Sequence, residues 1–379
     1  MSINIVLPQW KRFDTKLINL ADLNPASNGS AEAYRDYADH IAKTLNHESV
    51  IGNIDGYITR NGSHLNPYVL LDKIDAEKQS NHLFKLMKLD TDNRGKFHSM
   101  DDIFLQIDRS YLNGFSMHVK SSPDKPVVEF VKSTQHNSLM VHHDLIMIEP
   151  ETNMTLLRII KTDNTALIFD NVEVYLGKGS TLNYVTLNKS RHDSFYTAIK
   201  RAVVGEHARI NWYNIDLEAV NTVISTRSML YAPYGESRML SVIIGSGDAQ
   251  KDVSYETFHR APRTSTSVHV RAAIRDNSRL NYRALTYVAP GAKNSKVEQA
   301  EKAITLGNTA RFDGIPSLWI DEDEVEASHS ASSGSVDEDA MFYIKSRGIP
   351  RDEAENLVVQ GFISSVLNKE PVSLLSGLF

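Results

Sequence analysis

His329, in the run Glu326-Ala-Ser-His329-Ser330, is the residue with the most chemistry to offer. Its imidazole changes charge near neutral pH and can bind ferrous iron or pass a proton. The bland alternative is a histidine satisfied by hydrogen bonds at the end of a structural unit. His142-His143-Asp144 and Glu206-His207 also join imidazole to carboxylate, a donor set that suits iron or zinc. Adjacent strand residues point to opposite faces, so His142 and His143 cannot share one ion without a bulge. Both groups are expected to be ordinary solvated positions. Asp321-Glu-Asp-Glu324 offers hard oxygen ligands, yet an acidic run of this kind is expected to be a solvated edge.

The chain lacks cysteine entirely, which removes disulfides, thiolate metal ligands and a thiol nucleophile. No GxxxxGK[ST] phosphate loop, HExxH motif or serine nucleophile elbow occurs, so no catalytic constellation is expected. Any ATP dependence must then come from a partner. Lys plus Arg number 41 against 47 Asp plus Glu, a net charge of −6 that provides no basic field for nucleic acid or anionic lipid. With no basic leader and no long apolar run, a soluble cytoplasmic protein is expected.

The elements that must position these residues fall into three stretches of the 379-residue chain. Residues 1–95 read as a mixed, mainly helical region. Within it Tyr34, Tyr37, Ala38, Ile41 and Leu45 repeat at helical spacing behind Ser30, and a second apolar-periodic segment spans His82 to Leu89. Residues 96–333 read as many short strands separated by Pro, Gly, Asn and Asp. A small residue followed by Arg or Thr and a large apolar residue recurs at Ser180, Ala208, Ser237, Ser278 and Ala310, each copy behind a Gly- or Asn-containing turn. A β-solenoid accounts for this, because each coil offers an apolar face that only the next coil can cover. A β-sandwich is the competing all-β fold. The solenoid is preferred because irregular spacings, such as the 41-residue step from Ser237 to Ser278, fit as loops on one face.

Residues 334–379 read as two short helices. Asp337 opens the first and Gly348 closes it; Pro350 opens the second, whose Ala354, Leu357, Val358, Phe362 and Val366 form an apolar stripe.

The segments Asp321 to Ser332, Asp337 to Pro350 and Glu353 to Phe362 resemble the C-terminal signature of the SufB/SufD family, which builds iron–sulfur clusters. His259-Arg-Ala-Pro-Arg-Thr264, Tyr287-Val-Ala-Pro-Gly-Ala292, Gln299 and Asp313-Gly-Ile-Pro-Ser-Leu-Trp-Ile320 follow the family's order. Of the two subunit types the chain resembles SufD, because Ala310 stands where the SufB type carries a cysteine. The resemblance implies a mainly β fold, a right-handed parallel β-helix flanked by helical regions. It implies a non-catalytic scaffold with no cofactor of its own, meeting iron or an iron–sulfur cluster transiently. The implied partners are a SufB-type subunit along the β-helix and the ATPase SufC on the C-terminal helices, where Phe342, Leu357, Val358 and Phe362 are the docking candidates. A homodimer is expected when the chain is alone. His329 then matches a histidine implicated in cluster assembly at the contact with SufB. A second function stays open: Tyr184, Trp212 and Tyr282 recur in register, as the aromatics of a polysaccharide-binding or polysaccharide-processing β-helix do.

Overall fold

The computed structural model describes residues 24–25, 31–45, 50–54, 57–59, 69–73, 114–191, 193–218, 220–336, 338–367 and 371–374. One sheet stacks β4 (Val69–Lys73), β5 (Phe115–Val119), β7 (Ser138–Ile148), β9 (Ala166–Leu176), β11 (Phe195–Val204), β13 (Asn221–Leu230), β15 (Gln250–His259), β17 (Arg279–Val288) and β19 (Arg311–Ile320), with β1 (Asn24–Pro25) beside β7. The other stacks β3 (Tyr57–Thr59), β2 (Val50–Ile54), β6 (Val127–Ser133), β8 (Asn153–Thr162), β10 (Thr181–Lys189), β12 (Arg209–Asp216), β14 (Glu236–Gly245), β16 (Ser265–Arg275), β18 (Ser295–Leu306) and β20 (Val325–Ser335). From β5 onward, successive strands alternate between the sheets and every ladder among them is parallel. The result is a parallel β-solenoid of eight coils between Phe115 and Ser335.

Coil length varies little, from 26 residues between Phe195 and its partner Asn221 to 32 between Arg279 and Arg311. The turns explain the repeat read from the sequence. His207, Tyr234, Arg263, Asp276 and Asn294 take positive φ near 60°, as do Gly179 and Gly247, so each of these corners carries a left-handed residue just before a strand. The small residue lets one corner settle on the next: a Cβ added to Gly205 would lie 2.6 Å from the Leu176 carbonyl oxygen. Two details of the predicted repeat change. Arg209 pairs with Glu236, so the position equivalent to Ala208 is Gly235 and not Ser237. The 41-residue step contains no inserted loop. Ser237 lies in β14, whereas Ser278 precedes β17 in the opposite sheet, one coil and a half later; small residues mark corners on both sheets.

Two apolar layers result. Inside the coils, Leu182, Tyr184, Trp212, Met239, Val270 and Tyr282 belong to one buried core. Outside the second sheet, Phe130, Leu157, Val185, Ile215 and Val242 form another, roofed by helices. Helix α1 (Ala31–Leu45) contributes Tyr37, Ile41 and Leu45, with the Tyr37 ring edge-on to Phe130 at 5.0 Å. Helices α2 (Glu338–Ser346) and α3 (Arg351–Leu367) contribute Met341, Ala354, Val359 and Ile363. Gly348 takes φ +87°, which ends α2 as its position suggested. The described part of the N-terminal region holds α1 and the strands β1 to β4; the segment His82 to Leu89 lies outside the described residues. Among the described residues no helix is long and apolar enough to cross a membrane.

Candidate functional site

The solenoid ends on two bare strands. Among the described residues, β19 pairs only with β17 and β20 only with β18, so the outer edges of both present free backbone donors and acceptors. The composition of β19 and β20 suits an edge that is to be covered. Ile315, Trp319 and Ile320 are large apolar side chains about 40% exposed, against a buried norm for the other coils. Strand β20 is instead small and polar, Glu326-Ala-Ser-His-Ser-Ala-Ser-Ser-Gly-Ser335, and every one of these residues is exposed.

His329 sits in the middle of β20, opposite Gln299 of β18, not at the coil end expected from the sequence. Partners in a parallel ladder project to the same face. Gln299 and Glu301 are buried and alternate with exposed Glu298 and Lys302, so they point into the solenoid, and His329 and Ala331 share that face in the last coil. The acidic run Asp321 to Glu324 forms the turn before β20. Glu322 accepts hydrogen bonds from the backbone N–H groups of Gly291 (2.8 Å), Asp323 (3.0 Å) and Glu324 (3.4 Å), and these hold its carboxyl below the usual range. Lys293 pairs with Glu324 at 2.7 Å. The run therefore shapes a corner.

The other histidine groups separate. Glu206 and His207 lie at the exposed corner before β12, where Glu206 pairs with Lys178 at 3.0 Å and His207 stacks on Tyr234 at 4.4 Å. His142, His143 and Asp144 are not solvated, contrary to expectation: all three are buried in β7. His143 faces Glu173 at 3.2 Å. His142 points the other way, and its Nε2 lies 2.9 Å from Asp144 and 3.2 Å from Glu129. Arg158 completes this cluster, reaching Glu129 at 2.6 Å, Asp144, and Asp170 through two hydrogen bonds of 3.1 and 2.5 Å. Tyr196 donates to Asp170 at 2.9 Å.

Glu129, His142 and Asp144 have the spacing of a metal site. The charges argue against one. Burial opposes the charge on His142, but the Asp144 carboxylate overrides it and holds its pKa up to about 9, so both ring nitrogens carry protons. The guanidinium of Arg158 already stands where a cation would neutralise the carboxylates. This is a closed charge network that joins successive coils. Coil length was the signal that could have revealed it, because a 28- or 29-residue step sets Glu129 beside Arg158 and His142 beside Asp170.

The aromatic residues Tyr184, Trp212 and Tyr282 are buried in the core, Tyr184 and Trp212 with ring centroids 5.2 Å apart, so they offer no platform to a sugar. On the C-terminal helices, Phe342 is 75% and Leu357 44% exposed. Val358 and Phe362 instead flank the line Ala354, Val359 and Ile363 that seats α3 on the outer core, and Arg271 lies 5.8 Å over the Phe362 ring. The buried line is thus turned from the predicted stripe, since the sheet claims the side of α3 that carries Val359.

The family described as "SUF system FeS cluster assembly, SufBD core domain" matches residues 130–362, more than half of the chain and nearly all of the solenoid. The chain belongs to the SufBD family. Among its relatives, the iron–sulfur cluster assembly protein SufD of Bacillus subtilis (strain 168) is 28% identical over 255 residues, which cover 66% of this chain and 58% of that one. An iron–sulfur cluster assembly SufBD family protein of Mycobacterium tuberculosis (strain ATCC 25618 / H37Rv) is 27% identical over 231 residues, 54% of this chain and 27% of that protein. One from Staphylococcus saprophyticus is 24% identical over 201 residues, 53% and 43% respectively. The chain thus spans between about a quarter and three-fifths of the length of these relatives. The SufBD match and the parallel solenoid agree with the resemblance carried by Asp313 to Phe362.

Proposed function

We propose that this SufBD-family chain is a non-catalytic, cytoplasmic scaffold subunit of an iron–sulfur cluster assembly complex. It pairs with a SufB-type subunit along β19 and β20 and holds a SufC-type ATPase on its C-terminal helices. The observation that carries this reading is the bare last coil, where apolar Ile315, Trp319 and Ile320 and the unpaired edge of β20 need a cover that the described chain does not supply. A matching solenoid end is the partner chemistry that such strands accept, since it completes both ladders at once. His329 then stands inside the junction. Without cysteine, this subunit can bring only nitrogen and oxygen donors to an iron cargo, and imidazole suits ferrous iron.

For the ATPase, Phe342 and Leu357 are the exposed apolar contacts, while Val358 and Phe362 act by seating α3. Made alone, the chain pairs edge to edge with a second copy. The test is co-expression with SufB-type and SufC-type partners, followed by iron and sulfide analysis of the purified complex. His329→Ala is expected to co-purify normally and lose most of the cluster; equal iron and sulfide would remove His329 from the reaction, and absence of co-purification by the unaltered chain would overturn the scaffold reading. Phe342→Asp is expected to lose the ATPase and keep the SufB-type subunit.

A further inference from the structure

The two ends of one ladder inside the solenoid treat a buried acid differently. A single register column of inward residues runs from Glu129 in β6 and Arg158 in β8, through four further strands, to Glu301 in β18 and Ala331 in β20. At its start Glu129 and Arg158 are direct ladder partners, and the guanidinium lies 2.6 Å from the carboxylate. At its end Glu301 is the acid, and Ala331 stands in the place of the base. Glu301 is fully buried, both of its carboxylate oxygens lie without a hydrogen-bond partner, and no cation among the described residues pairs with it. Val270 precedes it in the column. The titratable groups that share its surroundings are Tyr282, whose hydroxyl is kept protonated by burial, and His329, a diagonal neighbour on β20. Burial pushes the pKa of Glu301 up to about 7, so near neutrality its charge depends on what covers it.

The next coil along this ladder belongs to whatever covers β20. Strands lie about 4.8 Å apart, so a residue of that coil is two steps, about 9.6 Å, from Glu301, within the joint reach of a glutamate and an arginine or lysine side chain. The way in is kept small. Gly314 faces Glu301 from β19, where a Cβ would come within 2.7 Å of Glu301 Oε2, and Ala331 has only a methyl group. Both line the cavity of about 370 Å³ at the end of the coils, which gives a long basic side chain room to enter, and the carboxylate lies one ladder step further in. We propose that Glu301 selects the subunit that covers the solenoid end, accepting one that brings a lysine or arginine into the mouth and disfavouring a second copy of this chain. A second copy brings no such base, since none of the inward positions of β19 and β20 is Lys or Arg. It brings a second Glu301 instead, and two carboxylates then approach one dry junction. A basic partner supplies the countercharge that a buried carboxylate requires. The identity of the basic subunit rests on the scaffold reading; the preference for a base rests on Glu301.

The test measures pairing of the full chain in two series, both in EDTA so that no metal ion stands in for the base. With a SufB-type subunit at pH 8, Glu301→Gln is expected to weaken pairing tenfold or more, because the partner's base is left without its acid. For the chain alone, sedimentation is expected to show self-association falling tenfold or more between pH 5.5 and pH 8, and Glu301→Gln is expected to restore it at pH 8. The opposite signs identify charge selection, since a substitution that merely damaged the fold would weaken both kinds of pairing. Glu298→Gln, on the outward face of the same strand, is expected to change neither series. Self-association of Glu301→Gln at pH 8 no stronger than that of the unaltered chain, or undiminished pairing of Glu301→Gln with the SufB-type subunit, overturns the proposal. If the unaltered chain pairs with no SufB-type subunit, the scaffold reading fails by itself, and the self-association series still decides for or against Glu301.

Discussion

Arg158 and Glu301 occupy opposite ends of the same solenoid interior, and both are ionisable groups withdrawn from water. Around Arg158, three carboxylates and His142 close on one another until every carboxylate lies against a cation. Around Glu301, the last coil offers Gly314, Ala331 and serine, and the carboxylate is left unanswered. Burial is alike at the two places, so burial alone does not decide whether a charge stabilises the fold. Pairing does. A closed network stabilises the stack of coils once formed and is costly to break, whereas an unpaired buried acid costs stability.

The largest effect that this contrast predicts is at Arg158. Arg158→Met leaves Glu129, Asp144 and Asp170 facing one another without the guanidinium, and a loss of about 3–5 kcal/mol is expected in denaturant unfolding, enough to leave much of the protein insoluble. A loss below about 1 kcal/mol would mean that the network is not what joins the first coils. Glu301→Gln should move the other way. Its folded pKa near 7 lies above the ordinary 4.5, so the folded state holds the proton more tightly and stability falls as pH rises from 4.5 through 7. At pH 8, Glu301→Gln is expected to be more stable than the unaltered chain by about 1–2 kcal/mol, with no difference at pH 4.5. Equal stability at both pH values would show that Glu301 finds a partner in solution.

How legible these regions were in the sequence follows from the range of the contacts that make them. The coil repeat could be read because each corner needs a left-handed residue and a small neighbour close together in the chain, as at Gly179-Ser180 and His207-Ala208. The sheet to which each copy belongs could not, because both kinds of corner use the same residues, which is how Ser237 and Ser278 came to look equivalent. His142 read as solvated since Glu129, 13 positions away, and the Arg158 that closes the network on Glu129 and Asp144 come beside it only through the winding of the coils. Glu301 gave no signal at all. Its isolation depends on Gly314 in the other sheet lacking a side chain, a fact about two strands that no local pattern carries. His329 was singled out through family resemblance alone, and the stripe of α3 was misjudged because the helix is apolar on more than one side, so only the sheet decides which residues seat it.

Two histidines sharpen the contrast through pH. His142 has its pKa raised from 6.5 to about 9, so the stabilisation it gives is complete below pH 6.5 and is lost as pH rises toward 9. For His259 burial lowers the pKa to about 3, and the neutral ring bonds Thr264 at 2.7 Å and Thr266 at 2.8 Å. Here the folded state resists a proton that the unfolded chain accepts, so stability is lost as pH falls below 6.5. His142→Gln is therefore expected to flatten the alkaline limb of the stability profile, and His259→Gln the acid limb, each by about 1–2 kcal/mol across its window. Interchanged limbs would show that the charge network is not held as a protonated histidine among carboxylates.

The smallest effect tests whether pairing alone suffices or depth is needed as well. Arg209 and Glu236 form a two-pronged ion pair between adjacent coils, with bonds of 2.8 and 2.9 Å, so its geometry is as good as that of Arg158 with Asp170. It lies on the outer wall, where the Arg209 side chain is 39% exposed, and water competes for both charges. Removing one partner there leaves the other hydrated and costs no desolvated charge. Arg209→Ala is accordingly expected to lose only a few tenths of a kcal/mol, and less still in 0.5 M salt, where screening over roughly 4–5 Å weakens exposed pairs. Denaturant unfolding at low and high salt measures this. A loss approaching that of Arg158→Met would mean that the link between coils matters more than the water excluded from it, and the interior network would then differ from the outer pairs only in position.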